Sequence, residues 1–320
     1  MVSDLSKSQL VGVLYGGDSP ERAGSLASGK TAADALVSEG FNTLLIDTAE
    51  PQAIESIQRI DVALIALHGP GGEDGKIQGL LEMLGVPYTG SGVLASAVGM
   101  HKPTFKQLIS SHGLDTPKWI TLDPSLTSDE MSKVVESHVG WPVFIKPSAG
   151  GGSLGAGIGR SPSDFAHMLA DLNRQDYLEY LVEEYVPGRP CSVGVIETSG
   201  RPEALPVHDV ETDREFYDYA AKHDPSKRRE NCPSILPKDV TEKLQEEAVR
   251  VHMLTGAHGV SRVDFIVDDN GRSVVLEINT VPGLSDMGNL ATMAKAAGMP
   301  YPALVTAVLK TAFNRSGHGW

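Results

Sequence analysis

The stretch Ser261-Arg-Val-Asp-Phe-Ile-Val-Asp-Asp-Asn-Gly-Arg-Ser-Val-Val-Leu-Glu-Ile-Asn279 decides the fold class of this chain. Apolar and polar residues alternate on both sides of Asn270-Gly271, a dipeptide that favours a two-residue hairpin turn. A hairpin centred there sets Asp264 opposite Glu277 and Arg262 opposite Asn279. Residues i and i+2 share a strand face, so these four polar side chains line one face together. Val263, Phe265, Leu276 and Ile278 fall on the other face and point to a core. Two carboxylates and an amide oxygen form an all-oxygen donor set of the kind Mg²⁺ takes, usually together with substrate phosphates. Like charges directly opposite each other need something positive between them. A metal ion supplies it in one reading. In the other, Arg262 does so alone and the hairpin is an ordinary solvated face.

Upstream, strand-like runs at residues 11–15, 43–46 and 61–67 alternate with helical patterns reaching residues 35–36 and covering 77–84. Such alternation predicts βαβ units and a parallel sheet, with ligands at the loops that follow the strands, here 16–21 and 68–74. From about residue 91 the texture changes. Helices are expected at 102–111, 128–137, 161–172 (capped by Ser161), 240–255 and 301–313, with strands at 143–146 and 180–185. The expected fold is α/β followed by α+β in three domains. The boundaries expected are residues 1–92 for an α/β domain (the substrate domain, on the resemblance given below), 93–184 for a unit with the glycine-rich segment, and 185–320 for a unit with the candidate metal site.

The chain has 320 residues with 27 Lys+Arg against 41 Asp+Glu, a net charge of −14, which argues against nucleic acid as a partner. It leaves room for a local basic pocket. No run approaches the ~20 apolar residues of a membrane span, and residues 1–10 lack the apolar stretch of a signal peptide. Two cysteines, Cys191 and Cys232, offer no disulfide framework. A cytoplasmic protein is expected.

Two glycine motifs suggest phosphate binding. Residues 24–31, Gly-Ser-Leu-Ala-Ser-Gly-Lys-Thr, fit the phosphate-loop pattern with Lys30 as its lysine. That pattern requires a loop between strand and helix, whereas Pro20-Glu21 already reads as a helix start. Leu26, Ala33 and Leu36 would then face the sheet. A nucleotide-hydrolysing P-loop protein is the competing class, and comparing K30A with K146A separates the two. Residues 150–155 fit a dinucleotide fingerprint, but the glycines continue to residue 159. A strand–loop–strand flap suits them better, since glycines let amides approach phosphates closely.

Several segments, in this order, resemble the D-alanine–D-alanine ligases of the ATP-grasp superfamily. They are Tyr15-Gly-Gly-Asp-Ser-Pro-Glu-Arg22, Ala66-Leu-His-Gly-Pro-Gly-Gly-Glu-Asp-Gly75, Pro87-Tyr-Thr-Gly-Ser-Gly-Val93, Phe216-Tyr-Asp-Tyr-Ala-Ala-Lys222, Arg262-Val-Asp264 and Leu276-Glu-Ile-Asn-Thr-Val-Pro-Gly283. The resemblance implies a three-domain ATP-grasp fold enclosing ATP, and a ligase that joins two amino acids through an acyl phosphate, as in peptidoglycan synthesis. It implies Lys102, Lys146, Glu183, Val186, Lys222 and Leu276 at the nucleotide. It implies Asp264, Glu277 and Asn279 as ligands of two Mg²⁺ ions, with Mn²⁺ an alternative. Arg262 and the Gly283 amide match the oxyanion-stabilising groups. Glu21 matches the residue that holds the first substrate's ammonium, and His68 matches one beside its carboxylate; without the resemblance, His68 reads equally as a structural histidine. A homodimer is implied as well.

Departures from the family pattern gather at the substrates. Gly152 stands where the flap carries a serine, and His223 where a tyrosine follows the Lys222 equivalent. Ala23 replaces a glutamate, His101 an aspartate, and Pro190 stands roughly at a ribose-binding glutamate. Gly288 or Asn289 takes the place of the serine that grips the second substrate's carboxylate, with Asp286 nearby. His223 is either a polar loop residue or a group near the acceptor amine that changes charge near pH ~6.5. D-alanyl-D-alanine is the obvious product, and an amide of a different substrate pair is the alternative.

Overall fold

The computed structural model describes residues 5–123, 125–150, 155–172, 179–198, 200–212 and 228–314. The first apolar run forms β1 (Leu10–Tyr15), which lies between β2 (Asn42–Asp47) and β3 (Val62–Ile65) in a parallel sheet. Parallel neighbours need crossovers, which α1 (Arg22–Ser38) and the short α2 (Ala53–Ile57) provide. α1 buries Ser25, Ser28, Gly29, Ala32, Ala33 and Leu36, mostly small side chains that let helix and sheet come close. Leu26, expected on that face, is half-buried.

The closest approach is at Gly29, where a Cβ would lie 2.4 Å from Cβ of Tyr15. Residues 24–31 therefore lie wholly inside α1, with Lys30 exposed. Their amides serve the helix ladder rather than a phosphate, and the P-loop reading fails on this geometry. Gly29→Ala is expected to destabilise the fold by ~1–3 kcal/mol through overpacking, read by urea unfolding. Lys30→Ala should stay within ~0.5 kcal/mol and keep its ATP affinity; a loss of nucleotide binding in K30A would restore the discarded motif.

α3 (Lys76–Leu84), α4 (Val93–Met100) and α5 (Lys102–Ser111) lead to a second, antiparallel sheet. It comprises β4 (Trp119–Thr121), β5 (Val143–Pro147), β6 (Gly157–Gly159) and β7 (Tyr180–Glu184) in the order β4-β7-β5-β6. α6 (Ser128–His138) and α7 (Pro162–Leu172) pack on it through Val135, Phe165 and Leu169 against Val143, Ile145 and Val182. Ser161 caps α7 as expected, its Oγ accepting from the Asp164 amide at 3.2 Å. β5 and β6 pair antiparallel on either side of the glycine-rich segment; Gly152, where a flap is expected, lies outside the described residues.

The third sheet holds β8 (Arg189–Ile196), β9 (Glu203–Ala204), β10 (His208–Thr212), β11 (Arg228–Asn231), β12 (Val260–Val267) and β13 (Ser273–Asn279). Its order is β11-β10-β8-β12-β13, with β9 beside β8. α8 (Lys238–Leu254) covers one face together with α5. α9 (Asn289–Ala296) and α10 (Tyr301–Thr311) bring Leu290, Met293, Leu304 and Val308 into the cluster beneath α1, so the end of the chain packs on its beginning.

The hairpin departs from expectation in an informative way. Val267 pairs with Ser273, and the loop carries Gly271 at φ +79°, so the turn is longer than Asn270-Gly271 alone. That slip would put Asp264 opposite Leu276. A bulge between Asp264 and Phe265 in the ladder, with Leu276 the extra residue on β13, restores Asp264 opposite Glu277 and Arg262 opposite Asn279. The facing reverses at the bulge. Val275, not Leu276, joins Val263, Phe265 and Ile278 in the core, and Leu276 is half-buried. The Val275 amide donates to the Asp115 carbonyl and its own carbonyl accepts from Thr116 Oγ1, both at 2.8 Å, so the bulged backbone is not left unpaired.

Candidate active site

The loops after β1 and β3, the start of α5, the end of β13 and the start of α9 meet around a cavity of about 380 Å³. Its walls bring together Glu21, His68, Lys102, Arg262, Glu277, Asn279, Gly283 and Asn289, residues spread over most of the sequence. Lys146, Glu183, Val186, Leu276 and Asp264 are placed on or near the two antiparallel sheets without lining that cavity. Lys222 and His223 lie outside the described residues.

The acid pair is compensated by cations. Arg262 donates from Nε and Nη2 to the two oxygens of Asp264 at 2.8 Å each, and Ser192 Oγ adds a 2.7 Å bond to Oδ1. Lys102 Nζ stands 3.6 Å from Glu277 Oε2 while donating to the Gly150 carbonyl at 2.6 Å. Asn279 Oδ1 accepts from the Val281 amide at 2.9 Å, which fixes its side chain beside the pair. Among the described residues no three His, Cys, Asp or Glu converge as a metal cluster. The candidate donor set is thus a carboxylate pair completed by an amide, and its all-oxygen chemistry suits a hard divalent cation.

A second charge group is buried between β5, β7 and α5. Glu183 is 2% exposed; Lys146 Nζ reaches its Oε2 at 2.7 Å, and Lys106, fully buried, contacts Oε1. Burial alone would raise the Glu183 carboxyl; the two lysines outweigh it and hold it below its usual range. Burial, opposed by Glu183, pushes Lys106 down to about 8. Lys106 also donates to Thr116 Oγ1 at 2.6 Å, the same hydroxyl that binds the Val275 carbonyl. The bulge beside the acid pair and the buried Lys106–Glu183–Lys146 group are thereby tied together. Removing one partner of a buried pair typically costs about 3–5 kcal/mol. Lys106→Met is expected near the lower end, since Lys146 remains, and Lys106→Met with Glu183→Gln should recover part of the loss in urea unfolding.

At the first loop, Asp47 receives Arg22 Nη2 at 2.6 Å and Nη1 at 3.0 Å, together with the Gly17 and Ala49 amides. The Arg22 hydrogen bonds chiefly lower its carboxyl to about 2. This clamp fixes the residue next to Glu21. Because the folded value is depressed, its contribution is present above about pH 4 and lost as pH falls toward about 2. Asp47→Asn should flatten stability across that window relative to the parent protein. His68 is held by Ser28 Oγ at 3.0 Å, with Glu73 at 3.6 Å from its Nδ1. His101, the aspartate substitute, caps α5 by accepting from the Thr104 amide and reaches Glu179 at 3.0 Å.

Four features of the site carry little or no signal in the sequence. Lys106 is visible in principle, because it shares a helical face with Lys102, Phe105 and Ile109, all buried. Glu73 lies inside the 66–75 segment without a pattern of its own. α9, whose first turn lines the cavity, has a small-residue, alanine-rich pattern of little contrast. Arg228, also in the cavity wall, sits in a polar stretch where nothing sets it apart.

Two family models match the chain, the D-ala D-ala ligase N-terminus over residues 47–91 and the D-ala D-ala ligase C-terminus over residues 108–310. A D-alanine–D-alanine ligase of Geobacter sulfurreducens is 38% identical over 317 residues, covering 98% of this chain and 96% of that protein. One from Dechloromonas aromatica is 38% identical over 304 residues, with 95% and 98% covered. Among solved structures, the Bacillus anthracis D-alanine–D-alanine ligase complexed with ATP superposes with a TM-score of 0.81 at 30% identity, covering 95% of this chain and 97% of that one. A D-Ala:D-Ser ligase from Enterococcus faecalis, at 24% identity and a TM-score of 0.81, shows the shared fold alone, with 95% and 99% covered. A chain matched by both family models and by full-length relatives, with its polar residues gathered in one cleft, belongs to the D-alanine–D-alanine ligase family and is an ATP-dependent ligase.

Proposed function

We propose that the enzyme joins two amino acids by activating the first as an acyl phosphate with ATP, D-alanyl-D-alanine being the product to test first. The observation that carries this reading is the convergence of Glu21, His68, Lys102, Arg262, Glu277 and Gly283 on one cavity. Glu21 holds the first substrate's ammonium, and His68 stands beside its carboxylate. An oxygen of that carboxylate attacks the γ-phosphorus, and the bond to ADP breaks. Charge on the transferring phosphoryl group calls for cations close by; Lys102 and Lys146 serve, with Lys222 as a third. Glu183, the backbone at Val186, and Leu276 take the adenine end. Asp264, Glu277 and Asn279 would hold divalent cations, two Mg²⁺ or Mn²⁺, which when bound add positive charge at the phosphate oxygens.

The second substrate's amine then attacks the carbonyl carbon of the acyl phosphate, loses a proton, and phosphate leaves. Arg262 commits Nε and Nη2 to Asp264, leaving Nη1 for the tetrahedral oxyanion together with the Gly283 amide. The carboxylate of the second substrate belongs at the start of α9 beside Asn289, since helix N-termini favour anions. The division at 1–92, 93–184 and 185–320 gives each domain a sheet of its own, and cleft closure between them would exclude water. A cytoplasmic homodimer is the proposed working form; no described helix is long and apolar enough to cross a membrane.

ATP, Mg²⁺ and D-alanine should release ADP and form the dipeptide, read by coupled assay and mass spectrometry. Asp264→Asn and Glu277→Gln should each lower kcat/KM by ~100-fold or more. ADP release that ignores both substitutions, or none with any amino-acid pair, would sink the reading. A second reading keeps the chemistry and changes the acceptor. It is favoured by the α9 N-terminus, where Gly288 supplies no side-chain cap. Inactivity with D-alanine alongside activity with another amino acid or small amine would select it.

A further inference from the structure

The segment between β13 and α9 brings Thr280, Gly283, Met287 and Gly288 to the cavity wall, although it belongs to no helix or strand. Its conformation is set at three points. At its start the Val281 amide donates to Asn279 Oδ1 at 2.9 Å, and near its end the Gly288 amide donates to the Ser285 carbonyl at 3.1 Å. Between them Leu284 is buried in the cluster beneath α1, and its carbonyl accepts from the Tyr301 hydroxyl at 2.5 Å. Tyr301 is the first residue of α10 and sits between Pro300 and Pro302, whose fixed φ holds the backbone there. Burial pushes the Tyr301 hydroxyl above its usual range, so the group keeps its proton and remains a donor.

This tether shares its backing with the opposite wall of the cavity. The Tyr301 hydroxyl lies 3.2 Å from Thr31 Oγ1 on α1. Ser28, three residues earlier on the same face of α1, places its Oγ 3.0 Å from Nε2 of His68. His68 and Gly283 stand close together, since a Cβ on Gly283 would lie 3.9 Å from both Cε1 and Nε2 of the imidazole. α1 therefore holds one wall through Ser28 and His68, and the other through Thr31, Tyr301 and Leu284. Gly283 lies between the clamp at Val281 and the tether at Leu284, so its amide turns away only if one of them gives. Tyr301 does not line the cavity and acts from behind it.

We propose that Tyr301 is a positioning residue of the ligase reaction: through the Leu284 carbonyl it keeps Gly283 and the 287–289 stretch where the oxyanion and the second substrate are received. The assignment rests on the roles proposed above for Gly283 and Asn289. It is tested on the full chain with Tyr301→Phe, which keeps the ring and removes the hydroxyl. Val308→Ala, which truncates a buried side chain two turns further along α10, is the control for stability alone. Hydrogen exchange of residues 281–289 is followed by mass spectrometry, ATP affinity by calorimetry, and kcat and KM by ADP release with D-alanine. Tyr301→Phe should speed exchange in 281–289 about fivefold or more, because one hydrogen bond of the segment is lost. It should lower kcat about tenfold or more and raise the KM of the second amino acid, while ATP affinity stays within about twofold. Val308→Ala should lower the melting temperature further than Tyr301→Phe and keep kcat within about twofold. Unchanged exchange in Tyr301→Phe overturns the tether. Faster exchange with unchanged kcat and KM overturns the positioning role, as does an equal loss of kcat in Val308→Ala. A parent protein that releases no ADP with any amino-acid pair rejects instead the roles of Gly283 and Asn289, and the exchange measurement alone then upholds or overturns the tether.

Discussion

A cleft that must hold phosphate and carboxylate groups away from water needs cations, and cations away from water need partners of their own. That requirement organises the molecule. Lys102 leans on Glu277, Arg262 on Asp264, Lys146 and Lys106 on Glu183, and Arg228 on Glu230. Lys102–Glu277 joins α5 to β13 and Glu183 joins β7 to both β5 and α5, so satisfying these charges also fixes how those elements sit against one another, while Arg262–Asp264 and Arg228–Glu230 each lie within one strand. In an acidic chain of net charge −14, Lys102, Arg228 and Arg262 line one cavity, while Lys106 and Lys146 form a second, buried group around Glu183. Under the proposed function, ligand binding would be an exchange, in which oxygen atoms of substrate or nucleotide replace oxygen atoms of the protein.

The exchange works only if the pairs stand on one face of the sheet while the other face stays apolar. β12 meets this demand by plain alternation, its buried Val263 and Phe265 flanking Asp264. β13 cannot, because its longer turn puts it one step out of phase. The extra residue at Leu276 brings it back, and the 115–116 segment satisfies the backbone that the bulge exposes. Thr116 then hands the same constraint to Lys106. The acid pair on the third sheet and the buried lysine–glutamate group beside the second are therefore joined by a short run of hydrogen bonds, not merely adjacent.

Much of this is legible from residues alone. The hairpin pairing of Asp264 with Glu277 follows from period-two alternation, and the limits expected for α5, Lys102 to Ser111, are the observed ones. Helix α1 is legible because Pro20-Glu21 outweighs a glycine pattern that serves packing against Tyr15. What stays hidden depends on long-range geometry. The turn length at Gly271 and the compensating bulge cancel, so alternation gives the right pairing through the wrong turn. Lys106 looks like any helical lysine until Glu183, far along the chain, is placed over it. Arg228 joins the cavity wall only when β11 folds back against β10.

The turn and the bulge have a consequence for how this hairpin tolerates change. β12 is held along its length by β8 without any irregularity, so a length change in the 268–272 loop must be taken up by β13, the free edge. Losing one loop residue and losing the bulge at Leu276 are opposite one-step slips along the same strand. Made together they leave Glu277 and Asn279 facing as before; made singly, either one turns the carboxylate into the core. Insertions and deletions at the hairpin tip are thus not independent of a position near the catalytic cleft. The tip, although exposed, is tied in parity to a position a few residues away.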